Sequence, residues 1–117
     1  MMQPSLMPIY MAKIGTGELR FFASQSPDDP RPWHSQDDLL FCMGLPRALR
    51  RRFQAMNKQR EFAGQWTTAK TPDGVTTIAA HDMALGLMAA VARANGIAPT
   101  FQASYAQAFA KANSPAA

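Results

Sequence analysis

The tetrapeptide Thr71-Pro72-Asp73-Gly74 separates two β-branched runs, QWTTAK (65–70) and VTTIA (75–79). Proline pre-sets φ inside a turn, aspartate bonds its own backbone and glycine takes positive φ, so the chain must reverse direction here. Flanked by Thr, Val, Ile and Trp, the reversal predicts a β-hairpin. A second hairpin is expected where IYMAKI (9–14) and LRFFAS (19–24) flank GTGE, because Gly15 and Gly17 permit positive φ. The stretch QSPDDPRP (25–32) that follows is rich in proline and aspartate and reads as a loop.

Between the hairpins the pattern turns helical. In HSQDDLLFCMG, Ser35 can cap a helix starting at Gln36, and Asp37 and Asp38 complement its positive end. Gly44 closes that helix after about two turns, and Pro46 opens the next, predicted over about 46–58. At 100° per residue, with Leu49 at zero, Phe53 falls near 40° and Met56 near 340°, a compact apolar stripe. Asn57, Arg50, Gln54, Arg47, Lys58 and Arg51 fall between about 80° and 200°, on the other side, with Arg52 at the border. Arg60 would point coreward, so the helix is expected to end before it. The two helices have the dimensions of a helix-turn-helix; its usual buried positions fall on Leu40, Met43, Leu45 and Phe53, but also on Arg50.

Further on, HDMALGLMAAVARANG (81–96) predicts a helix in which Ala84, Leu87, Met88 and Val91 share a face and Gly96 is the stop. A last helix is expected after Thr100, with Phe101, Tyr105 and Phe109 at four-residue spacing. The expected fold is therefore α+β: two small β-hairpins, a short helix-turn-helix pair between them and two C-terminal helices. One domain covers 9–112, with a loose segment at 1–8 and a flexible tail at 113–117.

Charge is unevenly placed along this framework. Residues 46–60 hold half of the twelve Lys and Arg residues and no acid, so this stretch carries +6 and the remainder −2. A concentration of one sign makes a directed field, which a net +4 spread evenly would not. Guanidinium groups of Arg47, Arg50 and Arg51 can fork onto phosphate oxygens or a guanine edge, and the amides of Gln54 and Asn57 suit adenine. With Lys58, these residues form the expected contact surface for double-stranded DNA. Aromatic stacking by Trp33, Phe62 or Trp66 would add single-strand binding. The alternative is a protein-interaction or homodimerisation domain with a methionine-rich surface around Met83, Leu87 and Met88.

Chemistry of other kinds finds little footing. His34 and His81 belong to no metal-spaced cluster with Cys42, so no metal ligands are expected. Asp28-Asp29 lies in a proline loop, Asp37-Asp38 is accounted for by capping, and Ser35 beside His34 is no nucleophile–base pair. GTG at 15–17 lacks a phosphate-loop context. The chain is expected not to be an enzyme, to have no catalytic residues and to need no cofactor or small-molecule substrate. MMQPSLMPIYMAKIG makes a poor signal peptide, and the apolar run near 83–92 is too short to span a bilayer. With a single cysteine, a cytoplasmic setting and no membrane partner are expected.

The order of elements resembles the Bro-N domain, found at the amino terminus of phage antirepressors and viral Bro proteins. In WHSQDDLLFCMG, Trp33, Asp38, Leu39, Met43 and Gly44 stand at the spacings of that family's Trp, acid–aliphatic pair and Leu-Gly helix end. DGVTTIAAHDMAL is similar to its later hairpin and helix, with Asp82, Ala84 and Leu85 in corresponding places, although Ala84 replaces the usual glycine and Gly86 the following aromatic. The similarity spans about residues 18–95. It implies DNA binding and a phage-type transcriptional regulator, while the family's base-reading residues lie outside the matched motifs.

Overall fold

The computed structural model describes residues 5–94, 96–97 and 99–114. The fold is α+β, and both expected hairpins form. Strands β1 (Tyr10–Ile14) and β2 (Gly17–Phe22) pair across Gly15, whose φ of 58° belongs to the left-handed region. A side chain at Gly15 would collide with the carbonyl oxygen of Cys42, so glycine is needed there for clearance as well as for φ. The second hairpin joins β4 (Trp66–Thr71) to β5 (Gly74–Ala79). A three-residue strand β3 (Trp33–Ser35), which no periodicity announces, stitches the two into one antiparallel sheet of order β1-β2-β3-β5-β4.

Four α-helices occur among the described residues: α1 (Gln36–Cys42), α2 (Arg47–Asn57), α3 (His81–Ala94) and α4 (Pro99–Asn113). The main core lies where α1, α3 and α4 cover one sheet face, and includes Leu19, Phe21, Leu39, Leu40, Leu87, Val91 and Tyr105. A smaller cluster, Phe22, Trp33 and Ile78, occupies a second site, with Leu6 packed against it. Of the segment 1–8, residues 5–8 are described, and Leu6 is tied down by its N–H to the Lys70 carbonyl at 2.7 Å. Residues 1–4 and 115–117, in the expected loose ends, lie outside the described residues. No helix of the described residues is long and apolar enough to cross a membrane.

The start of α1 decides how the sheet is held. β3 pairs with β2 only through Trp33 and His34, and with β5 only through His34 and Ser35, before turning into the helix. Beyond that point the Arg20 N–H of β2 and the Thr77 N–H of β5 find side-chain partners in place of a strand. Ser35 Oγ caps α1 by accepting from the Asp38 N–H at 3.0 Å, as expected. The two aspartates do more than complement a dipole. Asp38 accepts the backbone N–H of Arg20 at 3.1 Å and the Arg20 guanidinium in a two-pronged contact at 2.7 and 3.1 Å. Asp37 accepts the N–H of Thr77 at 2.9 Å and the Thr76 hydroxyl at 3.0 Å. The first turn of α1 thus closes the split in the sheet, one carboxylate on each side.

Candidate nucleic-acid interface

Helix α2 follows α1 through a short link in which Gly44 has φ of 74°. Leu40, Leu45 and Phe53 are buried and Met43 is half-buried, as the helix-pair register requires. Arg50, which that register would bury, escapes by folding back: Nη1 donates to the Leu45 carbonyl at 2.7 Å, and Cζ lies 5.5 Å from the centre of the Phe41 ring. Its guanidinium caps the helix-pair link and is folded back from the outward position expected of it.

The helix is also rolled about its axis relative to the expectation. Phe53 and Asn57 are buried, Leu49, Arg50 and Gln54 half-buried, and Met56 exposed. The inward face is therefore centred about 60° away from the Leu49–Phe53–Met56 stripe at 100° per residue. The physical reason is the link to α1. Gln54 Nε2 donates to Asp37 Oδ1 at 2.8 Å, which pulls the amide side of α2 down onto the sheet fork. Met56, expected in the core, swings out, while Asn57, expected on the DNA face, is turned in and only 5% exposed. Gln54, another expected DNA contact, is committed to Asp37.

What faces solvent is a different but still cationic set: Arg47, Arg51, Arg52 and Lys58. Arg47, Arg51 and Lys58 were expected there; Arg52 was not, and its border angle would have placed it outward had the roll been known. Lys58 Nζ stands 5.7 Å from the Trp66 ring centre, so Trp66 is an accessory wall of this surface. Arg60 continues it in a 3-10 turn at Arg60–Phe62, beyond the end of α2, where the helix was expected to stop. Among the described residues, ion pairs involve Arg20 with Asp38 and Asp73, and Arg31 with Asp29 and Asp82; none involves a cation of α2. Of the candidate stacking aromatics, Trp33 is buried in the smaller core cluster, while Phe62 and Trp66 are half-buried.

Other reactive groups are occupied structurally. Ser35 Oγ also meets Thr76 Oγ1 at 2.8 Å, and burial pushes the Cys42 thiol up to about 11, far from the thiolate a nucleophile needs. His81 Nδ1 lies 2.7 Å from the Tyr105 hydroxyl, its ring stacked 3.7 Å from Phe109, on a hollow of about 290 Å³ between α3 and α4. Burial lowers the His81 pKa and raises that of Tyr105. No group of three or more His, Cys, Asp or Glu residues able to hold a metal occurs among the described residues. Met83, Leu87 and Met88, the surface expected for protein interaction, are core residues at 5%, 2% and 3% exposure, because α3 turns them toward the sheet. Compared with protein-family models, with curated proteins and with solved structures, the chain matches none.

Proposed function

We propose that the chain binds duplex DNA through the outward face of α2, with Arg47, Arg51, Arg52 and Lys58 as phosphate contacts. The observation that carries this reading is the isolation of these cations. Arg20 and Arg31 are paired with aspartate, whereas these four face water with no carboxylate within 4.0 Å among the described residues. A solvated helix that served only to cover the core would gain from interspersed acids, through i,i+4 pairs and lower self-repulsion. Instead Asp37 and Asp38, on the neighbouring α1, are drawn into the sheet fork.

An eleven-residue helix is about 16 Å long, enough to lie along a major groove about 12 Å wide. With Arg50, Gln54 and Asn57 turned away, the exposed face holds phosphate donors and lacks the amides that would read adenine. The reading is therefore of backbone contact first, with base discrimination restricted to a guanidinium fork. The resemblance to the Bro-N domain points the same way and suggests a phage-type transcriptional regulator working in a reducing cytoplasm.

Fluorescence anisotropy of a labelled mixed-sequence duplex, titrated at several salt concentrations, tests the proposal. Neutralising about four phosphates gives a slope of log K against log salt of roughly −3 to −4. Arg47→Ala with Arg51→Ala should weaken binding uniformly across sequences and make the slope shallower by about two. Asn57→Ala should leave affinity unchanged. Absence of binding at low salt, or a salt-independent signal, removes this function.

A further inference from the structure

Helix α3 presents one face that the described fold covers only in part. Asp82, Gly86, Ala89, Ala90 and Arg93 fall within about 100° of one another on the helical wheel. Asp82, Gly86 and Arg93 are exposed, and the two alanines are half-buried. Glycine weakens a helix interior, so its presence at 86 calls for a packing reason. Among the described residues none is seen: a Cβ on Gly86 would meet nothing within 4 Å. Asp82, Gly86, Ala90 and Arg93 line a groove of about 220 Å³ that they share with Met56, Asn57 and Phe62. Asn57 is 5% exposed there, and its amide nitrogen has no hydrogen-bond partner.

We propose that this face is a homodimer interface in which α3 packs antiparallel on α3 of a second copy, about a two-fold axis near Gly86 and Ala90. The occupant is identified by charge. An acid stands at one end of the face and a base at the other, eleven residues apart, or about 16 Å along the helix. An isologous contact brings each surface patch against itself, so Asp82 of each copy meets Arg93 of the other, twice over. Midway lie Gly86, Ala89 and Ala90, whose small side chains let two helix axes approach closely. Arg93 has no acid within 4.0 Å among the described residues, whereas Asp82 shares only a 3.5 Å contact with Arg31 and is 66% exposed, so both have room for a second ion. Leu85, 48% exposed beside the stripe, supplies apolar area to the contact. DNA would be repelled by Asp82, and an unrelated partner would not call for this symmetry. The inference does not depend on DNA binding, and its test contains no nucleic acid.

Size-exclusion chromatography with light scattering, from micromolar to sub-millimolar protein, is expected to show twice the 12.8 kDa chain mass. Asp82→Lys gives a chain with cations at both ends of the face, and Arg93→Glu one with acids at both. Each alone should loosen self-association by about tenfold or more through like-charge contacts, and an equimolar mixture should restore a dimer. Should Asp82→Lys fail to fold by circular dichroism, Arg93→Glu and the bulky, uncharged Gly86→Gln decide, both losing the dimer. The proposal is overturned by a wild-type monomer across the range, by single variants that dimerise as tightly as wild type, or by a mixture that does not reassociate.

Discussion

His34 is wholly buried, and its surroundings define its proton. Nε2 faces Oε1 of Gln36, whose own amide reaches the Met83 carbonyl at 3.3 Å, while Nδ1 has no partner. An amide oxygen can only accept, so Nε2 carries a hydrogen, and burial with an unpartnered Nδ1 favours the neutral ring. Burial lowers its pKa to about 4, outweighing the bond to Gln36, which acts the other way. In the unfolded chain the ring titrates near 6.5. Below that pH the unfolded state takes a proton that the folded state refuses, so the native state loses stability. The loss begins as pH falls through about 6.5 and levels off near 4, and it amounts to about 3 kcal/mol. His81, also lowered, mainly by burial and then by Arg31, contributes with the same sign. Urea midpoints should therefore fall markedly between pH 7 and 4.5, and His34→Phe should flatten most of that dependence. A variant with the full wild-type drop would show that the proton goes elsewhere.

At the scale of elements, the joint between β3 and α1 is the critical point. Arg20 and Asp38 have side chains only 14% and 17% exposed, so removing one leaves a poorly hydrated charge. Asp38→Ala should cost about 2–4 kcal/mol in urea unfolding, since it also strands the Arg20 N–H. Asp38→Asn should cost less, because an amide oxygen can still accept that N–H. Equal costs for the two variants would mean that charge alone matters and that the strand donor is indifferent.

The same joint shows which parts of this fold local sequence could reveal. Both hairpins were legible because Gly15 and the Pro72-Asp73-Gly74 turn act through their own backbone angles, and the start of α1 because Ser35 caps within one turn. The roll of α2 was not. It depends on Gln54 meeting Asp37, seventeen residues earlier, and a wheel drawn from hydrophobicity sees Leu49, Phe53 and Met56 but no long-range amide. Of the residues expected to contact DNA, the roll leaves Arg47, Arg51 and Lys58 exposed and turns Arg50, Gln54 and Asn57 partly or wholly inward. β3 was hidden for a different reason: three residues are too few to show alternation, and its buried Trp33, His34 and Ser35 become a strand only between β2 and β5.

Across the whole molecule, opposite charges are separated by function of position. Asp29, Asp37 and Asp38 are engaged by arginine, backbone or amide partners, whereas the cations of α2 repel one another across a single helix face. Such repulsion is felt in the folded state more than in an extended chain, and added salt relieves it, since the screening length shrinks from about 30 Å at 0.01 M to about 8 Å at 0.15 M. The partly buried Arg20–Asp38 pair is screened much less, so the net response to salt should follow α2. The melting temperature should therefore rise as NaCl increases over this range. Replacing Arg47, Arg51, Arg52 and Lys58 together by Gln takes the net charge from +4 to zero. That variant should match or exceed wild-type stability at low salt, by up to about 1 kcal/mol, because exposed charges without partners contribute little beyond repulsion. Its melting temperature should no longer respond to salt. A variant that melts well below wild type, with the salt response intact, would mean that these four cations hold the fold together and do not form a free surface.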